Sequence, residues 1–350
     1  MEKHGDRVAM EKNSCKVCVT GGAGFIGSSL VKKLLHKGYT VHATLRNLDD
    51  RSKVGLLKSF PEADKRLVLF EADIYDPDAF EHAIKGCEFV FHVATPLQHN
   101  KGSDQYRNIT EAAIAGAKSI AMCCGRAGTV RRLIYTASVV SASPLKHDGS
   151  GFKDLMDETC WTPLNLSFAY CNDSLKDYTD SKTMAEKEIL RYGDNNNGDG
   201  SLEVVSLPCG LVGGNTLLSS IPSSTAILIS QLTNMANEQR TLNILEELLG
   251  KIPVVHIDDV CEAHIFCMEK DSINGRFLCG SSYVSSPEIA NHCRQHYPDQ
   301  FHVMQEYLDR PERKIEWGSK KLIEKGFVYK CDLKMIIDES IESARRLGYL

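Results

Sequence analysis

A tyrosine and a lysine four residues apart, Tyr178 and Lys182, stand in the pattern Y-x-x-x-K. On a helix that separation puts both side chains on one face, about 6 Å apart along the axis. A phenol titrates near pH 10 and exchanges a proton near neutrality only where its anion is stabilised, which a neighbouring ammonium and an oxidised nicotinamide would do. Ser138, closing the run YTAS from Tyr135 to Ser138, adds a hydroxyl that can hold a substrate oxygen beside the phenol. The three together suit a reduction in which hydride reaches carbon as a proton reaches oxygen. The pattern alone is common and fits a surface helix with a solvated lysine; what lies upstream gives it meaning.

Residues 17–27 read VCVTGGAGFIG, with Gly21, Gly24 and Gly27 spaced G-x-x-G-x-x-G between a β-branched run and an apolar helical pattern. A sharp turn at a helix N-terminus aims backbone N–H groups at a pyrophosphate, and glycine lets the backbone approach closely. Phe25 and Ile26, inside the turn, belong to the same cofactor site. Dinucleotide sites for NAD commonly carry a carboxylate at the end of the second strand; here that position is Arg46, with Lys53 shortly after. Cations suit a 2′-phosphate, so the expected cofactor is NADPH. Asp73 and Ile74, in EADI after the next strand, are expected at the adenine, although an Asp in that place is often only a helix cap.

The elements that must hold these residues follow a regular rhythm. Lys16 to Thr20 reads as strand, Phe25 to His36 as helix and Thr40 to Leu45 as strand, the size of one βαβ unit. Strands are expected again at 67–70, 89–93, 132–135 and 204–207, with helices over 77–84, 109–124 and 178–192. Such alternation predicts an α/β fold, a doubly wound parallel sheet of Rossmann type covered on both faces. After Pro208 the rhythm weakens, predicting a smaller C-terminal substrate-binding lobe that ends in a charged helix, 335–347. The expected division is a nucleotide-binding domain over 15–208, joined again by 254–268 and 276–279, a lobe over 209–350, and a flexible stretch at 1–14. The polar run 194–201 reads as an exposed loop whose spacing does not fit a calcium site.

Forty-one basic and forty-six acidic residues among 350 give a net charge of −5, without the basic excess that nucleic acid or anionic membrane would attract. No apolar run is long enough to span a bilayer, and residues 1–14 lack a signal-peptide core, so a cytosolic protein, monomer or homodimer, is expected. Thirteen scattered cysteines fit reduced thiols. Cys15 and Cys18 form C-x-x-C at the start of a strand, where residues three apart face opposite ways, which argues against a redox or metal pair. His256, Asp258, Asp259, Glu262 and His264 invite a metal reading too, but an Asp ahead of a helix is more often its cap, and no metal is expected.

Together these residues resemble the extended short-chain dehydrogenase/reductases, in particular the plant branch containing dihydroflavonol, anthocyanidin and vestitone reductases. Beyond the glycine turn and the Tyr178/Lys182 pair, the resemblance is carried by ATLRN (43–47), GCEFVFHVATP (86–96), DETCW (157–161), SKTMAEK (181–187), VVHIDDVCEAHIF (254–266) and GRFLC (275–279). It implies that Val93, Ala94 and Thr95 line the nicotinamide side, that Pro208 touches the same ring, and that the substrate is a flavonoid or related aromatic metabolite. Leu97, Gln98, Ser143 and Cys209 are the expected pocket wall. Residues 221–253 look more like anthocyanidin reductase than the shorter dihydroflavonol reductase. Three places depart from the pattern: Ser143 where an Asn is usual, Thr136-Ala137-Ser138 in place of Thr-Ser-Ser, and the atypical YCNDSLKD at 170–177. The signature NWYCYAK of cinnamoyl-CoA reductase is missing, which disfavours that activity. An alkaloid, a phenolic ketone or an aldehyde as substrate, and a non-catalytic NADPH sensor, are the competing readings.

Overall fold

In the computed structural model the described residues are 15–76, 78–96, 106–148, 150–164, 172–194, 202–233, 235–298, 305–308 and 313–350. In chain order the strands are β1 (Lys16–Thr20), β2 (Thr40–Leu45), β3 (Leu67–Glu71), β4 (Phe89–His92), β5 (Arg132–Ser138), β6 (Leu155–Met156), β7 (Glu203–Cys209), β8 (Leu211–Gly213), β9 (Ile252–His256), β10 (Gly275–Arg276), β11 (Ser282–Val284) and β12 (Glu316–Trp317). Helices of eight or more residues are α1 (Phe25–His36), α2 (Arg51–Lys58), α3 (Ile109–Ala127), α4 (Asp173–Asp194), α5 (Ala236–Leu249), α6 (Ile257–Glu269), α7 (Ser286–His296) and α8 (Leu333–Arg346).

Seven strands form one sheet flanked by helices, in the order β10-β7-β5-β4-β1-β2-β3. The pairs β1–β2, β1–β4, β2–β3, β4–β5 and β7–β10 are all parallel. This is a Rossmann-like arrangement, with the chain reversing direction across the sheet between β1 and β4, where such folds bind ligands. β-Branched and aromatic residues supply most of the buried side chains of β1 and β4: Val17, Val19, Val90 and Phe91 are sealed from water. Leu30, Val31, Leu34 and Leu35 of α1 are equally buried, at the i, i+4 spacing that makes one helical face.

The chain divides into two compact units, the first made of 1–136, 184–206 and 264–276, the second of 137–183, 207–263 and 277–350. The first holds most of the seven-stranded sheet. The second has a three-stranded sheet, β11-β9-β8, and the short pair β12–β6. Its core gathers Leu242, Leu245 and Leu249 of α5, Ile252 and Val254 of β9, and Ile336, Ile337 and Ile341 of α8.

This division differs from the one expected over 15–208 and 209–350. Residues 137–183 belong to the second unit, and β9 does not return to the main sheet: it pairs with β8 in parallel and with β11 antiparallel. Of the segments expected to return, 264–268 lies in the first unit and Arg276 joins β7 through β10, while 254–263 and 277–279 lie in the second. The 14-residue α5 was not anticipated, nor was α2, capped by the Asp50 carboxylate accepting the Lys53 N–H at 3.1 Å. The helix expected over 77–84 is limited to Glu81–Ile84. α4 begins five residues before Tyr178, because the side chain of Asn172 accepts the Leu175 N–H at 2.9 Å and starts it there. The N-terminal stretch 1–14 and residues 195–201 lie outside the described residues.

Candidate functional site

Gly21 stands at φ 67°, in the left-handed region, and a Cβ on it would come within 3.0 Å of the Ala94 Cα. A Cβ on Gly27 would fall 2.2 Å from the Gly21 carbonyl oxygen, so the turn closes only with glycine at both places. Two threonines hang it in place. Thr44 of β2 accepts the Gly21 N–H on its hydroxyl at 3.2 Å and the Gly22 N–H on its carbonyl at 2.9 Å. Thr20 of β1 accepts the Val93 and Ala94 N–H groups at 3.1 and 3.0 Å. α1 then starts at Phe25 with Gly24 as its cap, no side chain closing that end and no acid in its first turn. A helix end lined by backbone and free of carboxylates fits a pyrophosphate.

Around the turn the expected cofactor residues take different surroundings. Arg46 follows β2 directly and is exposed. Lys53 forms an ion pair with Asp50 at 2.9 Å. The Asp73 carboxylate accepts the Tyr75 N–H at 3.1 Å, a local turn that leaves its second oxygen for other partners. Ile74 is buried, packed where a Cβ on Gly116 of α3 would meet it at 2.3 Å. Val93, Ala94 and Thr95 are half-buried.

In the second unit, Ser138 and Tyr178 are neighbours, with the Ser138 hydroxyl close enough to act on the Tyr178 phenol. Ser138 ends β5, and its hydroxyl also accepts the Val140 N–H at 3.4 Å. Tyr178 is half-buried on α4, packed on the core described above, with Ser181 bonding back to its carbonyl at 2.8 Å. Burial pushes the phenol above its ordinary pKa, opposed by the Ser138 hydroxyl and reinforced by the nearby Cys209. The lowering expected from Lys182 is not what the structure shows: desolvation is the largest cause, and the phenol is neutral near pH 7. Lys182 is buried, at 6% exposure, four residues along the same helix.

Pro208 is buried near the end of β7, where its carbonyl accepts the Cys279 N–H at 2.9 Å. Cys209 sits opposite Cys279, and its contact with that thiol first, then burial, raises the Cys279 thiol well above its usual value. Ser143 corrects one expectation. It is fully buried, its hydroxyl bonded to the Leu248 carbonyl and accepting the Leu145 N–H at 3.1 Å, so it holds backbone and offers no open wall to a substrate. Leu97 and Gln98 lie outside the described residues.

The residues that invited a metal reading have other partners. His256 bonds Glu339 at 3.0 Å and the Asp258 N–H at 3.1 Å. The Asp259 carboxylate accepts the Lys330 and Cys331 N–H groups at 3.0 Å each, and His264 meets the Thr136 hydroxyl at 2.8 Å. Cys15 and Cys18 are free and buried, the thiol of Cys15 pushed up to about 12 by burial and the nearby Glu88. Sequence reading missed Thr20 and Thr44; their positions, at the last residue of β1 and the next-to-last of β2, were the available signal.

Comparison with known proteins bears on this arrangement. A family model described as the NAD dependent epimerase/dehydratase family matches residues 17–280. The chain belongs to that family. Within it, the chain is 36% identical over 334 residues to an anthocyanidin reductase ((2S)-flavan-3-ol-forming) of Vitis vinifera, covering 95% of this chain and 96% of that one. It is 34% identical over 336 residues to a dihydroflavonol 4-reductase of Callistephus chinensis, covering 95% and 87%. Among solved structures it is similar to vestitone reductase from alfalfa (Medicago sativa L.), at TM-score 0.76 and 30% identity, covering 96% of this chain and 99% of that one. The extended short-chain dehydrogenase/reductase resemblance of the motifs is therefore a membership.

Proposed function

We propose that this family member is an NADPH-dependent reductase of a flavonoid or related aromatic metabolite, of the anthocyanidin reductase or dihydroflavonol reductase kind, with Tyr178 as proton donor. The observation that carries the reading is the Ser138 hydroxyl placed beside a phenol whose pKa burial raises. A neutral phenol beside a second hydroxyl is arranged to give a proton to a substrate oxygen that Ser138 also holds. Lys182, buried one helical turn on, supplies the positive charge that stabilises the phenolate once the proton has gone. Bound NADPH supplies the hydride. The glycine turn would hold its pyrophosphate and Arg46 its 2′-phosphate, with Asp73 and Ile74 at the adenine and Val93, Ala94, Thr95 and Pro208 toward the nicotinamide. Cys209, next to Tyr178, is the remaining pocket residue of the reading.

Among the described residues no helix is long and apolar enough to cross a membrane. A cytosolic enzyme taking small aromatic substrates, as monomer or homodimer, completes the proposal. The test follows NADPH absorbance while the purified protein is offered anthocyanidins, dihydroflavonols and isoflavanones. Consumption with one flavonoid class supports the reading. NADPH binding without turnover on any flavonoid, but with turnover of simple aldehydes or phenolic ketones, would move the substrate elsewhere and keep the chemistry.

A further inference from the structure

His92 closes β4, is 1% exposed, and places its Nδ1 3.0 Å from the Thr20 hydroxyl oxygen. That oxygen already has two donors upon it, the backbone N–H groups of Val93 and Ala94 at 3.1 and 3.0 Å. A hydroxyl offers two lone pairs and one proton. With both lone pairs engaged, the proton is left for the third partner, which must accept it. A protonated Nδ1 would bring a third N–H to an oxygen with no lone pair left.

We propose that His92 is a positioning residue whose bare Nδ1 orients the Thr20 hydroxyl and so locks the 93–94 backbone against the glycine turn. His92 is then the Nε2–H tautomer, fixed by the hydrogen bond its other nitrogen makes. The consequence is local and specific. The Ala94 Cα lies so near Gly21 that a single added Cβ would come within 3.0 Å of it. Thr20 is the residue before Gly21, and one hydroxyl ties the end of β4 to the start of the turn. Freed from its acceptor, the Thr20 hydroxyl can rotate, weakening its hold on the Val93 and Ala94 N–H groups. The ring is further braced by Tyr135, whose centroid is 5.2 Å away. The inference builds on the NADPH reading of the glycine turn, since the turn's shape is read out there as cofactor affinity.

Two measurements test it separately. Nitrogen-15 correlation spectra of ring-labelled wild-type protein without cofactor should show His92 with an unprotonated Nδ1 and a protonated Nε2; a protonated Nδ1 overturns the proposal whatever the protein binds. The second is the NADPH dissociation constant by fluorescence titration. T20V and H92L should each weaken binding about five- to tenfold, the worth of one hydrogen bond of about 1 kcal/mol. T20S and H92N, the latter with its amide oxygen where Nδ1 stood, should return to within about twofold of wild type. Equal affinity in H92L and H92N would show the acceptor to be irrelevant. Should H92L fail to fold, the Thr20 pair and the wild-type spectrum still decide. Wild-type protein that binds no NADPH would remove the cofactor reading and leave the tautomer result standing by itself.

Discussion

Arg132 and Tyr178 are both polar side chains turned inward, and they differ in how much of their bonding capacity the fold consumes. Arg132, 1% exposed, donates to the carbonyls of Cys267, Met268 and Lys270 at 2.6, 3.0 and 2.7 Å, and through Nε to Glu203 at 2.8 Å. Those carbonyls belong to the last turn of α6 and the residue after it, where helical partners run out. The guanidinium is thus a cap for that helix end, and its five N–H groups are spent on structure. Tyr178 is half-buried, and beside it stands Ser138, another hydroxyl that can both give and take a proton. A polar group whose every bond goes to backbone or to a paired carboxylate fixes a shape; two neighbouring hydroxyls facing a site keep a proton in play.

The strongest way to break that contrast is to substitute each residue. Y178F should lower turnover about 10²- to 10⁴-fold, the usual worth of a positioned acid, while the NADPH dissociation constant changes little. Because the Tyr178 pKa lies above its ordinary value, the phenol is protonated throughout the neutral range, so the reduction rate should stay level between about pH 6 and 9. The reverse oxidation needs the phenolate and should rise with pH over that window. A reduction rate falling from pH 7 to 8 would mean another group gives the proton.

R132M should cost stability and spare chemistry. Removing one partner of a buried ion pair typically destabilises by about 3–5 kcal/mol, and here several carbonyls lose their donor as well. Urea denaturation measures it, with activity per folded molecule as the control. A variant as stable as wild type would show that water replaces the guanidinium at the end of α6; one that loses turnover per folded molecule would erase the distinction drawn above.

The first unit was far more legible in the sequence than the second, for a physical reason. β1, α1 and β2 were read to the residue because each alternates cleanly with a turn that only glycine can make, as at Gly21. Tyr178 and Lys182 were expected on one helical face from their spacing, and α4 carries both. In the second unit, α5 lacks any side-chain N-cap, and β8, β9 and β11 are three to five residues long, so no local signal marks them. Ser143 was misjudged because nothing local reveals that the Leu248 carbonyl, 105 residues away, takes its proton.

Arg46 carries the next largest effect. Exposed beside the turn, it should be a charge-assisted partner for the 2′-phosphate, worth about 10- to 100-fold in affinity. R46A should weaken NADPH binding by that factor and leave NADH unchanged, measured with both cofactors on one preparation. Equal loss for both would place Arg46 on the pyrophosphate or in the scaffold.

Lys53 sharpens the comparison at its weakest point, because sequence alone put it with Arg46. In the structure its ammonium is paired with Asp50, the same carboxylate that caps α2 through the Lys53 N–H. Such an exposed pair is weak and easily exchanged with water, so the ammonium gains little by leaving it and little by staying. K53A should therefore change the NADPH dissociation constant by less than about threefold, well short of R46A, with D50N as the companion that frees the lysine. If D50N tightens NADPH binding and K53A in that background reverses it, the carboxylate and the 2′-phosphate compete for one cation. If neither variant moves the constant, Arg46 reads the phosphate alone, and Lys53 serves only to close the first turn of α2.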